Sequence, residues 1–152
     1  MRAHKIVNVA VWGSLASLLG NLYVPVLLMV LCNVIDYATG LMAVSSRDEK
    51  LSSYRSIKGI TKKVCMWLLV VVGAIVDELI KYAAEMGEVK VPFTFFVACI
   101  VAIWIICSEL ISILENMLDI GVNLPPFLLP LIKQIQKKTE DVANENIEGE
   151  SD

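Results

Sequence analysis

Three stretches of this chain, residues 22–44, 64–84 and 92–114, are apolar over about the 20 residues that a helix needs to cross a bilayer at a rise of about 1.5 Å per residue. A shorter one, residues 6–20, is interrupted by Asn8, Gly13, Ser14 and Ser17. Wound as a helix, it gathers Ser14, Ser17 and Asn21 on one side, which suits either a segment lying in the membrane interface or a fourth span joined by a tight hairpin at Gly20 and Asn21. After the third stretch, Phe127, Leu128, Leu131, Ile132 and Ile135 fall on one face of a helix and Lys133, Gln134, Lys137 and Lys138 on the other. That pattern predicts an amphipathic helix from about 126 to 139, entered through a sharp turn at Gly121 and started by Pro125 and Pro126, and placed on the cytoplasmic leaflet. The expected fold is an all-α integral membrane protein with three transmembrane helices. A short N-terminal helix occupies 1–21, the membrane domain 22–117, the amphipathic cytoplasmic helix 118–140 and an acidic disordered tail 141–152.

Composition agrees with the pattern. With 57% hydrophobic and 19% charged residues and a mean hydropathy of +0.68, the chain is more apolar than a soluble domain of its size. The net charge of −3 says little about partners, because the acidic excess sits in the terminal "EDVANENIEGESD". No basic patch suited to nucleic acid is present. Cys32, Cys65, Cys99 and Cys107 all lie in apolar stretches without a CxxC pair or a neighbouring His, and read as small core residues; His4 reads as a surface residue. "MRAHK" before an apolar stretch has the look of a signal peptide, but a second apolar run follows at once, which favours retention. No cofactor, metal site, phosphate loop or nucleophile triad is expected.

Lys and Arg mark the cytoplasmic side of short membrane loops. The connection "SSRDEKLSSYRSIKGITKK" holds Arg47, Lys50, Arg55, Lys58, Lys62 and Lys63, whereas "EMGEVK" holds only Lys90. The first connection is therefore expected inside, the second outside, and the C-terminus in the cytoplasm. Ser53, Gly59, Lys62 and Lys63 are read as a basic turn ahead of the second span, where the lysines reach lipid phosphates.

The polar residues within the spans are ordered. Asn33, Asp36, Thr39 and Gly40 share one face of the first, and Gly73, Ala74, Asp77 and Lys81 one face of the second, with Asp77 four residues ahead of Lys81 in the favourable order for a same-helix pair. Ala98, Ala102, Ile105, Glu109, Ser112 and Asn116 repeat the pattern on the third. Such stripes serve helix packing within or between subunits, or line a watery path built by several of them. A carboxylate dyad of Asp36 and Asp77 is disfavoured, because the two lie on opposite sides of the midplane, and the chain is not read as an enzyme.

"DYATG" at the end of the first span, "SSYRSIKGITKK" before the second and "SILENMLDIGVNLPPFL" after the third together resemble the small holins of Gram-positive bacteria and their phages, a family that includes toxin-secretion holins. The matching positions are Asp36, Thr39 and Gly40; Ser53, Gly59, Lys62 and Lys63; Ser112, Glu115 and Asn116; and Gly121, Leu124 and Pro125. The resemblance implies a homo-oligomer in the host cytoplasmic membrane that opens lesions, depolarises the cell and lets an endolysin or a toxin pass, with membrane lipid as its standing partner. A small ion channel or transporter subunit would share the stripes but pass ions selectively and need not admit proteins, and a membrane scaffold recruiting a partner through the amphipathic helix would leave the membrane potential intact.

Overall fold

The computed structural model describes residues 13–14, 17, 19–47, 53–87 and 95–148, excepting the side chains of 53–56 and 146–148. Most of the expected N-terminal helix lies outside these residues, as do 88–90 of the second connection and 149–152 of the acidic tail; Gly13, Ser14, Ser17 and Leu19 are helical. All regular structure among the described residues is helical. A 3-10 turn at Gly20–Leu22 leads into α1 (Tyr23–Ser46), followed by α2 (Ser53–Met86), α3 (Phe96–Ile120) and α4 (Leu128–Glu148).

Local chemistry sets the start of α1 and the end of α3. Pro25 sits in the first turn of α1, where a missing backbone donor costs nothing. α3 ends at Gly121, whose φ of 96° is open to glycine without strain. There the Gly121 amide donates to the Leu118 carbonyl (2.9 Å) and the Val122 amide to that of Met117 (3.0 Å), the paired bonds of a Schellman turn. The turn expected at Gly121 is therefore present. The basic turn expected at Gly59, Lys62 and Lys63 is helix instead, because α2 starts at Ser53 and runs through it. A lone glycine costs a helix about 1 kcal/mol, too little to break one continuous with a long apolar segment.

α3 is the central element, and α1, α2 and α4 all pack on it. α1 runs parallel to α3: Leu22 and Met29 share the core cluster with Ala98, Ala102 and Ile105, and Arg47 beyond the end of α1 pairs with Asp119 near the end of α3. α2 runs antiparallel, with Asp77 at the start of α3 and Lys63 beside Glu109. Small residues allow the close approach. A Cβ at Gly73 would lie 2.9 Å from the Ala98 Cα, so α2 and α3 touch backbone to backbone there. Cys32 and Cys107 are buried as expected of small core residues, whereas Cys65 faces outward on α2.

Gly20–Ser46 and Phe96–Ile120 are long and apolar enough to cross a membrane. In α2 the apolar stretch is bracketed by Lys62 and Lys63 at one end and by Asp77, Glu78 and Lys81 at the other. Leu27, Leu31 and Val34 on α1 and Leu68, Val72, Ile75 and Leu79 on α2 are exposed, an outward apolar surface that a water-soluble bundle would bury.

α4 departs from expectation twice. It continues past residue 140 to Glu148, into the segment expected to be disordered. It also folds back along α3 instead of standing off as a separate interfacial element: Ile132 packs with Cys107 and Leu114, and Leu128 and Leu129 pack against the same group. Contact with α3 supplies the burial that carries the helix into a polar sequence unable to fold alone.

The Gly73 contact makes a prediction. Gly73→Val should destabilise the detergent-solubilised protein by about 1–3 kcal/mol through overpacking. Gly59→Ala, in a helix with nothing within 4 Å of its Cβ, should stabilise it by up to about 1 kcal/mol. Unfolding midpoints in a denaturing-detergent titration check both.

Candidate functional site

Polar residues from α1, α2 and α3 converge at one level of the bundle. The Lys63 ammonium lies between the Asp36 carboxylate, at 2.8 Å, and that of Glu109, to which it also donates a hydrogen bond. Asn116 Nδ2 donates to Asp36 Oδ1 at 3.2 Å and to Thr39 Oγ1 at 3.3 Å. The Thr39 hydroxyl in turn donates to the Ile35 carbonyl at 2.9 Å. Gly40 faces this group, and a Cβ there would lie 3.6 Å from Asn116 Nδ2. Glu109 is 4% exposed, a degree of burial that a carboxylate tolerates only when paired.

Periodicity explains how the side chains meet. Asp36, Thr39 and Gly40 follow one another on a single face of α1, and Glu109 and Asn116 are two turns apart on the inner face of α3. Lys63 belongs to the α2 face that also carries Val70, Gly73 and Asp77, at spacings of seven, three and four. The reading of Lys63 as a lipid-phosphate anchor is thus corrected: its helix continues far enough to turn it inward, where two carboxylates outcompete solvent. Lys62, Lys58 and Gly59 are exposed.

Other residues of the stripes go elsewhere. Asn33 turns back on its own helix, Nδ2 donating to the Met29 carbonyl at 2.7 Å, while its buried Oδ1 has no partner among the described residues. The same-helix pair expected between Asp77 and Lys81 is not formed. Both oxygens of Asp77 instead accept from the first amides of α3, Val97 N at 2.8 Å and Ala98 N at 2.9 Å, and Lys81 lies 3.8 Å from Glu78. The reason is the helix terminus: Phe95, φ 57°, stands at the N-cap of α3 without a side-chain cap bond, and the first-turn amides, which a helix cannot satisfy internally, together with the dipole attract an anion. Ser112 is half-buried and Glu115 exposed, both outside the cluster; Leu124 is half-buried against the α3–α4 contact and Pro125 accepts the Leu128 amide at 3.1 Å. Ser53 opens α2.

Two polar bridges between α3 and α4 were not anticipated. Trp104 Nε1 donates to Glu140 Oε1 at 2.7 Å, and Gln136 Nε2 donates to Ser108 Oγ at 2.8 Å. Each helix contributes residues four apart, so a search for matched polar pairs at that spacing in antiparallel register would have found them.

Chemically, the cluster sets one ammonium against two carboxylates and ties three helices together through charge. It contains no nucleophile beside a base, and among the described residues no group of three or more His, Cys, Asp or Glu is placed to hold a metal ion. Asp36 and Asp77 sit toward opposite ends of the bundle, one bound to Lys63 and Asn116, the other to the start of α3.

Comparison with known proteins gives a family match over residues 13–137, to the bacteriophage holin family. An uncharacterised protein of Clostridium perfringens is 29% identical over 114 residues, 75% of this chain and 76% of that one. A second from the same species, described as an uncharacterised 14.9 kDa protein in the nagH 3′ region, is 28% identical over 142 residues, 88% of this chain and 98% of its own. An uncharacterised protein of Listeria innocua is 32% identical over 124 residues, 82% and 80% of the two chains. No solved structure matches.

The cluster should behave as a unit. Lys63→Met leaves two carboxylates buried without a counter-charge and should cost about 3–5 kcal/mol of stability. Adding Asp36→Asn and Glu109→Gln to it should restore most of that loss. A denaturing-detergent titration of the parent chain, Lys63→Met, the Asp36→Asn/Glu109→Gln pair and the combined variant checks the coupling, and additive losses would show that the three side chains act independently.

Proposed function

The chain belongs to the bacteriophage holin family, and we propose on that basis that it is a phage-type holin that oligomerises in the cytoplasmic membrane of a bacterial host and opens non-specific lesions. The lesions depolarise the cell and give an endolysin, or a secreted toxin, passage to the wall or the outside. Family membership and the apolar helices support a membrane location, and the family is one of non-enzymatic membrane proteins.

In this reading α1, α2 and α3 each cross the bilayer, with the basic connection and the Gly121 turn on the cytoplasmic side. The arrangement of the bundle supports that topology: α1 and α3 end at the same end, joined by Arg47 and Asp119, and α2 starts there and runs back. Two of the charges of α2 that would count against a span are held within the subunit. Lys63 is held by Asp36 and Glu109, and Asp77 by the α3 amides.

The observation that carries the mechanism is that the polar stripes close on one another within a single subunit, leaving apolar surface outward. A three-helix unit of that kind inserts and accumulates without leaking, because the charges of its inner stripes are paired before it meets other copies. Opening then requires subunits to associate, and the strength of the buried cluster sets how readily the helices shift to allow it.

Expression in bacteria with and without a co-expressed cytoplasmic endolysin, while membrane potential is followed, tests the reading. The expected result is abrupt depolarisation, followed by lysis only where the endolysin is present; a potential that holds throughout overturns it and favours a scaffold. Asp36→Asn and Glu109→Gln should each insert normally and shift the onset of depolarisation. Onset unchanged in both would assign these acids to packing alone.

A further inference from the structure

α4 poses a problem of charge placement that the holin reading leaves open. Its partners on α3 recede in sequence as its own residues advance: Ile132 packs beside Leu114 and Cys107, Gln136 bonds Ser108, Glu140 bonds Trp104, and Ala143 and Asn144 flank a groove beside Ile100 and Val101. α4 is therefore antiparallel to α3 over most of its length. Its circumference divides into three sectors. Ile132, Gln136 and Glu140 face α3, while Leu131 and Ile135 form an exposed apolar edge. Lys133, Lys137, Lys138, Asp141, Asn144 and Glu145 form a third sector, polar and exposed.

α3 is apolar enough to span the bilayer, so a helix packed along it lies at bilayer depth. A charged side chain facing hydrocarbon at mid-depth costs roughly 3 kcal/mol, and this sector carries five. It is tolerable at that depth only against water. Resting on the holin reading, we propose that the polar sector of α4 lines the water-filled hole of the assembled protein. Several copies turn Lys133, Lys137, Lys138, Asp141, Asn144 and Glu145 inward, Leu131 and Ile135 meet lipid, and the Asp36–Lys63–Glu109 cluster stays inside each subunit. α4 then crosses the membrane beside α3 when the hole is open, instead of resting on the cytoplasmic leaflet. The Trp104–Glu140 and Ser108–Gln136 bonds hold it there, satisfying polar groups on the face turned to α3.

Full-length protein reconstituted in phospholipid vesicles tests this. Spin labels are attached singly at Leu131→Cys, Ile135→Cys and Lys137→Cys, with the signal of the parent chain's own thiols subtracted. Their exposure to oxygen, which concentrates in lipid, and to a water-soluble relaxation agent is then compared. The expected result places the Ile135 label about 6 Å deeper than the Leu131 label, four residues at about 1.5 Å each, while the Lys137 label responds to the aqueous agent. A helix lying on the surface would place both apolar labels at one shallow depth. Release of a trapped dye from vesicles carrying the unlabelled chain separates the two readings. Vesicles that leak while the two labels share a shallow depth overturn the lining role alone; vesicles that retain their dye overturn the holin reading and the lining role with it.

Discussion

The ion pairs of Lys63 with Asp36 and Glu109 are the contact on which the rest of the bundle depends. α3 touches every other helix, but apart from a few polar bonds its contacts with α1 and α2 are apolar, Met29, Cys32, Val70, Gly73, Ala98, Ala102 and Ile105 among them. In lipid such surfaces gain little from exclusion of water, because a lipid tail is as apolar as a leucine side chain. Position along the axis must then be fixed by something directional. A buried ammonium between two carboxylates does that, since sliding any helix by one turn would move a charge about 5.4 Å from its partner.

The second fixed point is Asp77 on the first amides of α3. It works at the opposite end of the α2–α3 pair from Lys63, and the two together set both ends of one helix against the other. The Gly73–Ala98 contact lies beside Asp77, where the carboxylate must approach the α3 backbone closely. Small residues and the acid are therefore one arrangement: glycine lets the helices close, and closure brings the carboxylate within reach of the amides.

Much of this was legible in the sequence. The apolar stretches marked α1 to within two residues and the apolar body of α3, whose helix runs six residues further to Ile120; the Gly121 turn was visible because only glycine takes its φ easily, and the three-and-four spacing put Asp36, Thr39, Glu109 and Asn116 on faces that the structure brings together. What was missed shares one cause. Lys63 and Asp77 were each assigned a local partner, lipid phosphate for one and Lys81 for the other, because sequence spacing reveals neighbours on the same helix and not those across an interface. Had α2 been extended back through Gly59, Lys63 would have fallen on the face of Val70, Gly73 and Asp77. The fold-back of α4 was hidden for a similar reason: an amphipathic stripe announces that one face will be buried without saying whether lipid or another helix will cover it.

The bundle thus meets the cost of charge in a membrane in two ways that bear differently on function. Asp36 and Glu109 share the Lys63 ammonium inside the subunit, and Asn116 donates to Asp36 as well, so the cluster is held by partners of its own chain. α4 has no such internal answer. Its lysines come early in the helix and its acids late, so the two groups are offset along the axis, and they share an exposed sector. A single subunit surrounded by lipid cannot satisfy that sector at bilayer depth, whereas a ring of subunits around water can. In the proposed holin assembly the demand for several copies would come from α4, while the buried cluster would let the other three helices wait in the membrane until those copies are present.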